Sequence, residues 1–277
     1  MHLLLALTSA AVFGAADFTG GLAARRTGAF VTTVASQVAG LLALAAVLPL
    51  LPGRPDAASL AWGAASGLAG GSGLVLFFRA MATGPMGVVS PLTAALTAGV
   101  PLLGGLALGD RPGPLALGGV VLGVAAVVLG SRDPSAASGR LAPVVLGATV
   151  AAGAAFGLFF ILLARTAESA GLWPLLGARA ASLTLLGVVG AVLRRRLHPA
   201  PGTLGVVALS GVLDMAANVA YLLAVQRGLL SITAVLASLY PLSTVLLSRL
   251  VLGERLHRVQ RAGVALALAA VVLVALA

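Results

Sequence analysis

The chain contains no cysteine and no lysine, and charged residues make up only 9% of its 277 positions. Without cysteine there can be no disulfide and no thiol chemistry. A soluble domain carries about a quarter of its residues as charges, so this shortage of charge removes the polar surface that a water-exposed fold of this length needs. Catalytic groupings are scarce too. His2, His198 and His257 fall at the edges of apolar runs without metal-ligand spacing. No GxSxG, no acidic pair of the DDxxD kind and no phosphate-cradling Walker loop occurs. The expectation is a protein that is not an enzyme and holds no cofactor or metal.

What is present is apolar. Hydrophobic residues reach 60% and the mean hydropathy is +1.12, which together read as an all-α integral membrane protein. A helix needs about 20 residues to cross the hydrocarbon core, and ten such stretches fit: about 2–23, 29–51, 58–80, 86–108, 114–130, 141–164, 172–193, 203–225, 230–250 and 259–277. The opening MHLLLALTSAAVFGAADF lacks the positive n-region of a signal peptide and reads as the first span. Small residues four apart, as in Gly63, Gly67 and Gly71 or Gly153 and Gly157, predict close helix approaches. Pro91, Pro101 and Pro241 remove backbone donors inside spans and predict kinks.

The chain also repeats itself. At a shift of 144 residues, LLGGLALGDR (102–111) lies over LLSRLVLGER (246–255), and Gly119-Val120 over Gly263-Val264. The expected organisation is a five-helix repeat at 1–130, a polar linker SRDPSAASGR at 131–140 and a second repeat at 141–277. An odd number of helices per repeat brings the second copy into the membrane from the opposite side, so the ten transmembrane helices form two inverted five-helix repeats. Substrate sites in such architectures lie near the midplane between the halves.

The net charge of +10 comes from 17 arginines against seven acids. The arginines stand singly or in small groups at the ends of apolar runs, where topology determinants and headgroup contacts belong, so nucleic acid is not an expected partner. The odd-numbered loops hold 11 of them and the even-numbered loops 4. The positive-inside rule then puts the odd loops in the cytoplasm and both termini outside.

The SLYP of the ninth span (238–241), the Leu252-Gly253-Glu254-Arg255 turn, Gln260 and Gly263 after it, and the echo at Gly109-Asp110-Arg111 and Gly119 resemble the EamA-type members of the drug/metabolite transporter superfamily. The resemblance covers nearly the whole chain. It implies a multi-pass protein of the cytoplasmic membrane that moves a small molecule, an amino acid, amine or drug-like metabolite, with export the expected direction. It also implies cytoplasmic termini, the reverse of the arginine count. Its expected partners are the lipid bilayer, a small-molecule substrate and protons as coupling ion, in a monomer or homodimer. A membrane scaffold or sensor that keeps the fold without transporting is the alternative. In relatives, helices other than the fifth and tenth surround the pathway, which makes Gln37, Ser90, Thr93, Ser238 and Tyr240 lining candidates. Tyr240 stands where many relatives carry glutamate.

Charge inside a span points to chemistry. A bare carboxylate at mid-membrane costs about 2.5 to 3.5 kcal/mol on insertion scales, so Asp214 in the eighth span and Asp17 in the first must face a cavity or a partner. Both are candidates for substrate binding and for proton coupling, and an interface role capping toward Arg25 is the competing reading of Asp17. Asn218 and Tyr221 stand four and seven positions after Asp214, on one helical face. Interhelical glue is the competing role for that stripe. Arg179, two turns into the seventh span, is a candidate salt-bridge partner of Asp17 or Asp214, or a contact for a substrate carboxylate. Arg79 and Arg249, near span ends, are expected to snorkel to headgroups. Asp110 and Glu254 are expected to accept hydrogen bonds at a helix start or to pair with nearby arginines.

Overall fold

The computed structural model describes residues 1–83, 86–130, 142–194, 197–252 and 258–276. Among them it is helical throughout, with no strand. The elements are α1 (His2–Thr27), α2 (Ala29–Val47), α3 (Ala57–Thr83), α4 (Met86–Ala107), α5 (Pro114–Gly130), α6 (Pro143–Leu163), α7 (Trp173–Val192), α8 (Leu204–Val225), α9 (Leu230–Ala237), α10 (Tyr240–Leu252) and α11 (Arg258–Ala275). Six stretches are long and apolar enough to cross a membrane: α1, Ala29–Leu50, Ala57–Met81, α6, α7 and α8. The linker at 131–140 and the Gly253-Glu254-Arg255 turn lie outside the described residues, as do the side chains of Ser90, Arg249 and Gln260.

Local chemistry sets several helix ends. Gly28, with φ 85°, separates α1 from α2, a conformation a side chain would strain. Pro143 and Pro174 sit in the first turns of α6 and α7, where the missing N–H costs nothing. Asp56 caps α3, accepting the Ser59 N–H at 2.8 Å. The Ser59 hydroxyl and then its N–H hold the Asp56 carboxyl below the usual carboxylate range. A depressed carboxyl of this kind contributes its capping above that range and loses it as the pH falls through the folded value.

The ninth predicted span departs from expectation. It is two helices, α9 and α10, parted at Ser238-Leu239 just before the Tyr240-Pro241 pair. Pro241 cannot donate to the preceding turn, so the helix stops and starts again where a kink alone was predicted.

Helix bounds recur at the repeat shift. Moved by 144, α2 falls on 173–191 over α7, α4 on 230–251 over α9 and α10 together, and α5 on 258–274 over α11. Packing between the halves is reciprocal as well. α1 lies along α8 as α6 lies along α3; α2 meets α8 as α7 meets α3; α4 packs on α6 as α9 and α10 pack on α1; and α5 pairs with α11. The glycine ladder of α3 forms one of these seams. Gly63, Gly67 and Gly71 face the Pro174 carbonyl, the Ala178 carbonyl and the Ser182 hydroxyl of α7 so closely that a Cβ at any of them would collide. Backbone contact of this kind substitutes for the hydrophobic effect, which lipid does not supply.

Candidate functional site

The helices of both halves line a cavity of about 90 Å³ that is not closed off from its surroundings: 24% of the Asp214 side chain in its wall stays accessible. Its polar wall is built from α1 (Asp17), α2 (Gln37), α7 (Arg179, Ser182), α8 (Asp214, Asn218), α4 (Thr97) and α10 (Tyr240). Its apolar wall is Phe13, Phe156, Phe159, Phe160 and Leu74, with Gly67, Gly70 and Gly71 of α3 admitting space where a side chain would fill it.

The charges are unequally satisfied. Arg179 forms a short ion pair with Asp214, with side-chain exposures of 9% and 24%. The Asn218 Nδ2 donates to the Asp214 main-chain oxygen at 2.7 Å and to its carboxylate at 3.3 Å, so Asp214 is neutralised and anchored. Asp17 differs. It is partly buried in the same cavity, and among the described residues no cation or hydrogen-bond donor pairs with it. Asp214 lies near it, so the site brings two acids and one arginine together around α1, α7 and α8. Three buried oxygens of the wall, Asn218 Oδ1, Gln37 Oε1 and Ser182 Oγ, have no partner. Unmade hydrogen bonds at buried positions are costly and mark places where water or a ligand belongs.

Six of the seven expected site residues, Asp17, Gln37, Arg179, Asp214, Asn218 and Tyr240, line this cavity. Tyr221 does not. It is fully buried, stacked on Phe160 with centroids 4.1 Å apart, and its hydroxyl donates to the Phe160 carbonyl at 3.3 Å. Seven residues on an α-helix return to the same face but rise about 10.5 Å, which carries Tyr221 past the cavity into the α6 packing. Through Phe160 it supports the wall from behind: Phe160 meets Phe13 at 6.4 Å, and Phe13 meets Tyr240 edge-on at 6.5 Å.

Of the other lining candidates, Thr93 and Ser238 fall elsewhere. Ser238 turns back to the Ala234 carbonyl, Thr93 is buried, and Arg79 is exposed at the end of α3. Asp110 accepts the Ser231 N–H at 2.8 Å in the first turn of α9. Sequence reasoning missed Thr97, beside the Tyr240 hydroxyl, and the phenylalanine wall. A signal for that wall was present: three of the chain's eight phenylalanines fall within five residues of α6.

Fold and site together define a multi-pass, all-helical membrane protein with a charged, partly aromatic cavity lined by its helices. The model of the EamA-like transporter family matches residues 1–132 and again 143–276. The chain belongs to that family, and with it to the drug/metabolite transporter superfamily. Among solved structures, one described as "Crystal structure of protein" superposes with a TM-score of 0.76 over 99% of this chain and 96% of its own, at 18% identity. That likeness shows the fold. No curated protein matches the chain.

Proposed function

We propose that the protein is a secondary transporter that exports a small metabolite, of the amino acid, amine or drug-like kind, across the cytoplasmic membrane by alternating access. In this reading residues 1–130 and 141–277 are inverted five-helix repeats, ten transmembrane helices in all, that rock against each other about the central cavity. The reciprocal packing of the halves and the recurrence of helix bounds at the 144 shift support it. The observation that carries it is the cavity itself, with the ionisable Asp17 unpaired inside it. Intramembrane ionisable groups that face a cavity mark substrate and proton paths.

Asp17, Gln37, Arg179, Asp214, Asn218 and Tyr240 are the proposed substrate contacts, with Tyr221 reassigned to support Phe160. Proton coupling through Asp17 and Asp214 is part of the proposal. Asp17 is the stronger of the two, because Asp214 already has Arg179 as its counter-ion. The purified protein in proteoliposomes tests this: a transporter shows counterflow of at least one compound in a panel of amino acids, amines, nucleosides and sugars. If Asp17→Asn and Asp214→Asn both leave uptake driven by a proton gradient unchanged, the coupling role is wrong. No flux of any compound would favour a scaffold or sensor.

A further inference from the structure

We infer that the cavity selects a primary ammonium compound with an aromatic-sized apolar body, and discriminates against amino acids. The inference rests on the reading of this cavity as the substrate site.

A ligand for this wall must match what is unsatisfied. Arg179 is committed to Asp214 in a largely buried pair, so among the described residues of this wall a substrate carboxylate finds no free cation and meets two acids, Asp17 and Asp214, instead. To bind Arg179 it would have to displace Asp214 and leave that acid uncompensated, which is costly in a desolvated setting. The remaining demand is for hydrogen-bond donors carrying positive charge. Asp17 offers a carboxyl group that has no counter-ion among the described residues.

Asn218, 5% exposed, offers Oδ1, whose acceptor role is set because its Nδ2 is held by the Asp214 carbonyl at 2.7 Å. Gln37, 4% exposed, adds the unpartnered Oε1. A primary ammonium brings three N–H donors and one positive charge to a wall of acceptors that also includes the unpartnered Ser182 Oγ. A quaternary ammonium has the charge and no donor, and would leave both amide oxygens unmade.

The rest of the ligand is set by the opposite wall. Phe13 stands one helical turn before Asp17 on α1 and lines the same cavity. With Phe159 and Phe160, whose rings lie 5.6 Å apart, it forms an aromatic shelf beside the carboxylate. A cation within about 6 Å of such a face gains attraction from the ring, and an apolar body attached to it gains contact area. At the repeat shift Asp214 corresponds to Gly70 and Asn218 to Leu74, both on the cavity wall. At these two positions the second half gives the cavity polar side chains where the first gives glycine and leucine, and the wall as a whole carries both polar and apolar groups, which fits an amphipathic molecule.

The test uses tritiated phenethylamine as the probe, on the purified full chain in detergent and in counterflow with proteoliposomes. Its competitors are phenylalanine, the N,N,N-trimethyl derivative and 2-phenylethanol. Unlabelled phenethylamine is expected to displace the label at concentrations about ten-fold or more below each competitor. Asp17→Asn should weaken binding by about 100-fold while Asp17→Glu recovers most of it, and the competition series on the unaltered protein needs no variant to fold.

Phenylalanine or the trimethyl compound competing as well as phenethylamine overturns the inference. So does flux of another panel compound without phenethylamine binding, and that result leaves the transport reading intact. Phenethylamine binding that depends on Asp17 but gives no counterflow supports the amine site and overturns transport. No binding and no flux for any compound overturns both.

Discussion

At the scale of single residues, the buried pair on α7 and α8 divides the roles of the two acids. Arg179 consumes the charge of Asp214, so the exposed chemistry moves to Asp17, although Asp214 lies nearer mid-span in the sequence. Removing only Arg179 leaves a carboxylate stranded in the bundle, which costs about 3 to 5 kcal/mol for a fully buried pair. The lower part of that range is expected here, since 24% of the Asp214 side chain remains accessible. Arg179→Met should therefore lower the thermal midpoint in detergent markedly. Arg179→Met combined with Asp214→Leu should recover much of the loss, and simple additivity of the two would refute the pairing.

The sequence exposed which residues were unusual and offered Arg179 two acids as partners, without choosing between them. Hydropathy locates a charge within a span, and helical spacing gives its azimuth. Neither gives its depth, which is why Tyr221 shares the face of Asp214 and misses its cavity. Nor does either decide that Arg179 pairs with Asp214, 35 residues on, and leaves Asp17 aside.

At the scale of elements, the most legible features were those written as local pattern. Apolar runs of about 20 residues returned as helices within a few residues of their expected bounds, because each span must satisfy its own backbone in lipid. The small-residue ladder at Gly63, Gly67 and Gly71 returned as the α3–α7 seam. Gly63→Ala, away from the cavity wall, would push its methyl into the Pro174 carbonyl. An over-packed contact of this kind costs about 1 to 3 kcal/mol. A lower thermal midpoint with cavity ligand affinity otherwise retained is the expected result, and an unchanged midpoint would show that the seam is slack.

The break between α9 and α10 was less legible, because a proline in a span signals either a kink or a stop. What resolves it is a contact made far along the chain. Short α9 has no side-chain cap of its own, and Asp110 from the other half supplies one to Ser231. Asp110→Ala should cost about 1 kcal/mol and Asp110→Asn much less, measured by thermal denaturation. Equal losses would mean that charge, and not the acceptor, matters there.

At the scale of the whole molecule, the loops sort into two ends, and the even-numbered ones are tied together. The Arg54 N–H donates to the Ser169 carbonyl at 2.9 Å and the Ala167 N–H to the Ser59 hydroxyl at 3.0 Å. Arg227 reaches Glu168 at 3.3 Å. At the other end, Thr27 meets Thr203 at 2.8 Å and accepts from the Ala200 N–H. Which end faces the cytoplasm is where the arginine count and the family expectation part. Alkaline phosphatase fused after Ala277 is active if the termini lie outside, as the count requires, and a fluorescent protein there is bright if the family expectation holds.

The ties between the even loops also bear on mechanism. The first tie joins the loop after α2 to the loop after α6, segments that belong to different halves. If the halves rock about the cavity, that contact must part in every cycle. Because the chain has no cysteine, thiols can be introduced one pair at a time against a silent background. In Arg54→Cys with Ser169→Cys the two backbones already lie within hydrogen-bond reach, so a short bis-thiol linker spans them without forcing disulfide geometry. Cross-linking should stop counterflow in proteoliposomes, and a linker cleaved by reductant should restore it. Binding of ligand to the cavity in detergent should survive the cross-link, which separates a blocked cycle from a damaged site. Full cross-linking with undiminished flux would mean that this end never opens, and the rocking of one half against the other would have to be abandoned.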